Sequence, residues 1–288
     1  ISFCLDAETG IPGCNLALCR VGFSPVSKAP SGGMTRMPNA LVAGNWKMHG
    51  TAASAAQLAS QLARQWADAD AAEVIVFPPA VHIATVASVL VDSSVAIGAQ
   101  NLSQFESGAF TGEISAAMLV DLGCKYVLVG HSERRTVFGE SSHCVAEKFV
   151  AAQAAGLIPI LCVGETLQQR QQGQTMTVVA DQIAAVVEQA GLDRVCDGVI
   201  AYEPVWAIGT GETASPQQAQ QVHQGIRAQL GDAGIDTSLL YGGSVNGDNA
   251  RQLFGQPDIN GGLVGGASLE ADSFFKYCTT TDRATVME

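Results

Sequence analysis

The sequence has 288 residues, 47% of them hydrophobic and 15% charged, with a formal net charge of −12. That suits one large globular domain or two small ones. The few basic residues are scattered, which excludes an extended nucleic-acid footprint, and no apolar run approaches the ~18 residues of a membrane span.

Residues 1–38 hold Gly, Pro and Ser, three cysteines and no helical or strand period, and are expected to lie outside the native fold. A targeting peptide is the alternative. Asp6 and Glu8 argue against it, as does having only Arg20 and Lys28 as basic residues before Arg36. Residues 39–278 read as one domain, in which short apolar runs alternate with longer amphipathic ones. Strands are expected at 41–44, 74–77, 95–99, 126–129, 158–163, 199–202, 239–241 and 262–264. Helical patterns lie between them. One is the stripe Met176, Val179, Ile183, Val186, Val187, Ala190. Another is Val222, Ile226, Leu230, begun by a capping box at Ser215-Pro216-Gln217-Gln218. Residues 279–288 read as a polar tail.

Short, nearly all-apolar strands imply a parallel sheet covered by helices. Eight strand–helix units over this length fit an α/β fold of the (β/α)8 barrel type, which needs about 250 residues. A doubly wound open sheet is the structural alternative and would usually have fewer strands. The eight cysteines include no CxxC pair and no His/Cys cluster with metal spacing, so no metal site is expected from them. Cys124, Cys144, Cys162 and Cys196 sit in or beside apolar segments as reduced thiols, and a cytoplasmic enzyme is the expectation.

In such a barrel the chemistry collects at the C-terminal ends of the strands. The first strand is followed by Asn45-Trp46-Lys47 and the fourth by His131-Ser132-Glu133. The sixth ends in Glu203, and the seventh and eighth run into Gly242-Gly243-Ser244 and Gly265-Gly266. Taken singly, each has a plainer reading: a salt-bridged carboxylate, a helix-starting histidine, a solvated lysine, ordinary turn glycines. Together they put a base, an electrophile, a cation and two glycine turns at one mouth. Proton transfer beside a carbonyl on a phosphorylated substrate requires that set.

The segments "AGNWKMHG", "VGHSERR", "AYEPVWAIGTGETASP", "YGGSV" and "LVGGASL" occur in the order found in triosephosphate isomerases, and the chain resembles that family over roughly residues 39–277. The resemblance implies that Glu203 is the base. His131 is then a neutral imidazole at the start of a helix that polarises the carbonyl and shuttles protons between oxygens, in a reaction without metal or organic cofactor. It makes Lys47 the cation for phosphate and enediolate, Asn45 a nearby hydrogen-bond donor, and Glu133 a carboxylate orienting Lys47 and His131. Backbone N–H groups of Gly209, Ser244, Gly265 and Gly266 would hold the phosphate. The segment after Glu203 would be a lid hinged between Pro204 and the Gly209–Gly211 turn.

Residues 100–113, "QNLSQFESGAFTGE", are long for a strand–helix loop, and carry Phe105 and Phe110. The resemblance implies that this loop enters a second subunit, with Thr111 near the partner's lysine, and hence a homodimer.

Two other functions compete. Residues 209–214 match the dinucleotide fingerprint G-x-G-x-x-A, with Asp232 downstream, which would suit a nicotinamide-dependent oxidoreductase. Residues 203–206 intervene between strand and fingerprint, against the context it requires. A catalytically dead barrel kept for binding is the other, and the intact Asn45, Lys47, His131 and Glu203 argue against it.

Overall fold

The computed structural model describes residues 40–66, 72–208, 212–245 and 249–280. Residues 1–38, expected to lie outside the fold, are outside the described residues. So is the expected polar tail except for residues 279 and 280, which complete the helix Ala271–Thr280.

The strands are β1 (Leu41–Asn45), β2 (Glu73–Phe77), β3 (Ala96–Ala99), β4 (Tyr126–Val129), β5 (Ile158–Val163), β6 (Val199–Tyr202), β7 (Ser238–Tyr241) and β8 (Gly261–Val264). Each pairs in parallel with the next, and β8 closes on β1, from Leu41 opposite Gly261 to Gly44 opposite Val264. The result is a closed barrel of eight strands. Every connection carries helix, as parallel neighbours demand.

Side chains alternate across the barrel wall. Leu41, Ala43, Ile75, Phe77, Leu128, Ile160 and Leu240 fill the interior. Val42, Val76, Val127, Ile200 and Leu239 face outward into a larger apolar layer shared with the helices. Space inside is tight enough to dictate residue type: a Cβ on Gly98 would lie 2.2 Å from the Phe77 ring, so glycine on β3 is what lets Phe77 fill the interior.

The expected helical stripes bury as one face. Helix Thr175–Ala190 buries Val179, Ile183 and Val186, while Met176, in its first turn, stays partly exposed. Helix Pro216–Leu230 begins with the expected box: Ser215 Oγ accepts from the Gln218 N–H at 3.1 Å, and Gln218 Oε1 accepts from the Ser215 N–H at 2.9 Å. Its inner face carries Val222, Ile226 and Leu230, and also His223, which has no exposed surface.

His223 donates from Nδ1 to the Ala219 carbonyl at 2.8 Å and meets the Tyr202 ring edge-on, centroids 5.7 Å apart. Burial pushes its pKa down to about 4. A histidine that is neutral when folded but protonates readily when unfolded favours the unfolded chain in acid. Its penalty is absent above pH 6.5, grows as the pH falls from 6.5 to about 4, and is constant below that. The full penalty is about 3 kcal/mol. Denaturant unfolding at pH 7 and pH 4.5 is expected to give a stability loss that shrinks by about that order in His223→Gln. An equal loss in both proteins would mean that His223 does not titrate as its burial requires.

Candidate active site

All eight strands run the same way, so their C-terminal ends gather the expected residues at one mouth. Asn45 ends β1, and Lys47 follows with φ of 51°. It is the only non-glycine residue described with positive φ, a conformation disfavoured for a side chain. Three hydrogen bonds hold this turn. The Lys47 N–H donates to Asn45 Oδ1 at 3.0 Å, and Gln100 Nε2 donates to the carbonyls of both Lys47 and Phe77 at 2.8 Å. The turn aims the half-buried Lys47 ammonium at Glu133, whose Oε1 lies 2.6 Å away.

His131 follows β4 and caps the helix Ser132–Thr136. Its Nδ1 accepts the Glu133 N–H at 3.3 Å, so the ring proton of the neutral form belongs on Nε2. Nε2 faces Glu203 Oε1 at 3.0 Å and Asn45 Nδ2 at 3.3 Å.

Glu203 follows β6 directly and is 2% exposed. Its Oε2 accepts the Ser132 N–H at 2.8 Å. A Cβ on Gly242 would stand 2.8 Å from Glu203 Cγ, so the glycine after β7 makes room for the carboxylate arm. Burial alone would raise the Glu203 pKa. The charge and hydrogen bond of His131, with the Ser132 N–H, outweigh it and hold the carboxyl below its ordinary value.

For His131, burial alone would lower the pKa, but the carboxylates of Glu203 and Glu133 raise it above the ordinary imidazole value. This differs from the lowering expected of a helix N-terminus. The helix has only five residues, and a full carboxylate at hydrogen-bond distance outweighs its dipole. In this arrangement the buried contact favours an imidazolium on His131 facing a carboxylate on Glu203.

The glycine turns complete the opposite wall. Gly265 lies where a Cβ would meet Lys47 Cε at 3.4 Å, and Gly266 opens the short helix Gly266–Leu269 beside open space. Ser244 lines the cleft, but its N–H donates to the Ala207 carbonyl at 3.2 Å and its Oγ to the same oxygen at 2.5 Å. The expected phosphate donor at Ser244 is therefore occupied in this conformation by the segment after Glu203. Gly209, the other expected donor, lies outside the described residues, as does the Gly209–Gly211 hinge. The cleft has a volume of about 220 Å³ and is bounded by Asn45, Lys47, His131, Glu203, Ile208, residues 242–245 and residues 263–267.

One buried acidic side chain escaped the reading of strand ends. Glu165 follows β5 by two residues and is fully buried. It accepts from Tyr202 Oη at 3.1 Å, Trp206 Nε1 at 3.0 Å and Arg170 at 3.3 Å, and the Arg170 guanidinium lies 4.4 Å over the Trp206 ring. It moors the start of the segment that follows Glu203. The signal was present in the sequence: a carboxylate just after an apolar strand, at an end left unread. Gln100, after β3, was missed in the same way.

The dinucleotide reading lacks its context in the structure as well. β6 ends at Tyr202, the short helix Val205–Ala207 intervenes, and the next α-helix begins only at Pro216.

Comparison with known proteins agrees with this arrangement. The family profile described as triosephosphate isomerase matches residues 40–281. A triosephosphate isomerase of Thiobacillus denitrificans is 56% identical over 246 residues, which is 84% of this chain and 98% of the relative. That of Dechloromonas aromatica is 53% identical over 246 residues, covering 84% and 98%. That of Alcanivorax borkumensis is 52% identical over 253 residues, covering 86% and 100%. With a closed parallel barrel, a buried carboxylate–imidazole pair at its mouth and relatives matched over nearly their whole length, the chain belongs to the triosephosphate isomerase family.

Proposed function

We propose that Glu203, His131 and Lys47 carry out the reaction of the family in this chain. As a member, the chain is an isomerase that interconverts D-glyceraldehyde 3-phosphate and dihydroxyacetone phosphate by proton transfer, a step of glycolysis and gluconeogenesis. The observation that carries the assignment of roles is the 3.0 Å contact between His131 Nε2 and Glu203 Oε1, buried at the strand ends and facing a cleft that also holds Lys47.

The Glu203 carboxylate takes a proton from the carbon beside the carbonyl, and the electron pair moves onto the carbonyl oxygen to give an enediolate. His131 donates its Nε2 hydrogen bond to that oxygen, and Lys47 and Asn45 stabilise the developing charge. Glu203 then returns the proton to the neighbouring carbon, while His131 gives its Nε2 proton to the former carbonyl oxygen and takes the hydroxyl proton from the other oxygen, so that carbonyl and hydroxyl exchange places. For this, the carboxylate turns from the Ser132 N–H toward the substrate. With its charge directed elsewhere, burial and the Glu133 N–H on Nδ1 favour a neutral imidazole. The phosphate rests on the Gly265–Gly266 turn beside Lys47. Ser244 joins only when its N–H leaves the Ala207 carbonyl. Glu133 holds Lys47 and orients His131 through its backbone.

The assembly is a homodimer formed through residues 100–113. Phe105 and Phe110 stack at 4.0 Å between centroids yet remain 45% and 38% exposed. A second cleft of about 330 Å³ lies on the other side of Lys47, lined by Gln100, Glu133 and Phe138, with Met48 at its rim. Met48 is 94% and Phe138 68% exposed. Apolar side chains left open this close to a catalytic lysine suit the loop tip of a second copy. Among the described residues no helix is long and apolar enough to cross a membrane, and all five described cysteines are free thiols, which suits the reducing cytoplasm.

Two experiments test these roles. Glu203→Asp retains the charge but withdraws it by a methylene, and is expected to lower kcat by about 10²-fold. Glu203→Gln removes the base and costs more, and a fully active Gln variant would refute the assignment. Replacing residues 103–109 by a short turn is expected to yield a monomer in sedimentation with much lower kcat, because Lys47 loses the cover of its second cleft. A dimer surviving the trim would move the interface elsewhere.

A further inference from the structure

The barrel wall does not end evenly at the mouth. β5 pairs with β4 only up to Leu161 opposite Val129, whereas it pairs with β6 as far as Val163 opposite Tyr202. Beyond that point the β5–β6 contact continues: the Glu203 N–H donates to Val163 O at 2.7 Å, and the Val205 N–H to Glu165 O at 3.1 Å. Residues 163–165 are thus the seat of residues 203–205. The two backbones touch there, since a Cβ on Gly164 would lie 1.8 Å from the Glu203 carbonyl oxygen. Any displacement of Gly164 is transmitted to Glu203 without slack.

Backbone groups of successive strand residues point to opposite sides. Val163 and Glu165 face β6, so Gly164 presents its N–H and C=O toward β4. There β4 has already turned away into the helix Ser132–Thr136. The missing partner is supplied by a side chain. Gln182, on helix Thr175–Ala190, accepts the Gly164 N–H at Oε1 (2.8 Å) and donates from Nε2 to the Gly164 carbonyl (3.1 Å). Its carboxamide acts as one residue of an absent strand. Arg135 does likewise one step earlier, donating to Cys162 O at 3.2 Å and to Gly130 O at 2.8 Å. Gln182 and Gly164 also line a cavity of about 150 Å³ that reaches Glu203 from behind. The seat therefore has packing on one side only, and its other side is fixed by hydrogen bonds.

We propose that Gln182 is a positioning residue for proton transfer: its two-point clamp on Gly164 fixes the seat against which Glu203 is aligned. This deepens the assignment of Glu203 as the base and rests on it. Gln182 touches neither cleft residue nor reacting atom, so its loss affects alignment of the base and not the grip on phosphate.

The test compares Gln182→Met, nearly equal in volume but without either hydrogen bond, with the native chain. A shift of the base approaching 1 Å costs about 10²-fold, so kcat is expected to fall between about 10-fold and 10²-fold, with KM within about twofold. The primary isotope effect on kcat for substrate deuterated at the reacting carbon should rise as proton abstraction becomes limiting. A lower melting temperature with kcat and isotope effect unchanged would overturn the proposal, as would a rise in KM alone. Gln182→Glu guards against a Met variant that fails to fold. Ionised, it accepts the Gly164 N–H but cannot donate. Protonated, it does both. Its kcat relative to the native chain at the same pH should therefore recover as the pH falls toward the carboxyl range, and a flat ratio would overturn the clamp. Glu203→Gln run alongside separates the two claims: activity retained there removes the base and the clamp together, whereas activity lost there but kept in both Gln182 variants removes the clamp alone.

Discussion

A carboxylate with almost no access to water stays ionised only if the protein supplies donors in water's stead. Glu203 imposes that constraint, and much of the mouth can be read as its solution. One oxygen is met by the Ser132 N–H and the other by His131. The arm that carries them fits because Gly242 has no side chain. The same contacts draw the helix start Ser132–Thr136 over the end of β6, which brings Glu133 to Lys47 and links Glu203 to Lys47 through His131 and Glu133. Burial thus makes Glu203 both a stronger electrostatic partner and a dependent one: remove a donor and the charge has nowhere to go.

The barrel contributes rigidity but not completeness. Hydrogen bonding along the wall stops at different heights on neighbouring strands, and the gaps fall where the segments bearing Lys47, His131 and Glu203 leave. Side chains close them. Gln100 bridges the ends of β1 and β2, Arg135 spans β4 and β5, Gln182 extends β5, and Glu165 collects the hydroxyl, indole and guanidinium groups around the segment after Glu203. Gln100, Arg135 and Gln182 share a chemistry: planar or forked groups that pair with backbone at two points. The mouth is a place where strand pairing is continued by side chains so that the backbone can be released for function.

The strands were legible because each is short, apolar and bounded by turn residues. Three were placed to the residue, and the other five are offset at one end by a single position. Strand-end chemistry was legible for the same reason: Glu203, His131 and Lys47 are ionisable groups directly after apolar runs. Gln182 lies mid-helix, and its partner is the backbone of a glycine, which no residue pattern marks. His223 was passed over because a histidine inside an amphipathic stripe reads as neither core nor site until its burial is seen. The occupation of Ser244 by the Ala207 carbonyl depends on the conformation of the segment after Glu203, which composition does not encode.

The left-handed backbone at Lys47 has a consequence for how this molecule would fail. A side chain in that region costs of order 1–3 kcal/mol and persists only while its surroundings insist on it. Here the surroundings are Asn45 Oδ1 and the Gln100 carboxamide, both at the end of the wall and not within it. Loosening either lets the residue relax to an ordinary conformation, and relaxation is downhill. The cation is thus spring-loaded against a weak catch, while the interior packed around Phe77 has no such release. Under heat or denaturant the ammonium would leave its place while the barrel is still closed, so that loss of competence and loss of structure are two separate events, the first local and reversible.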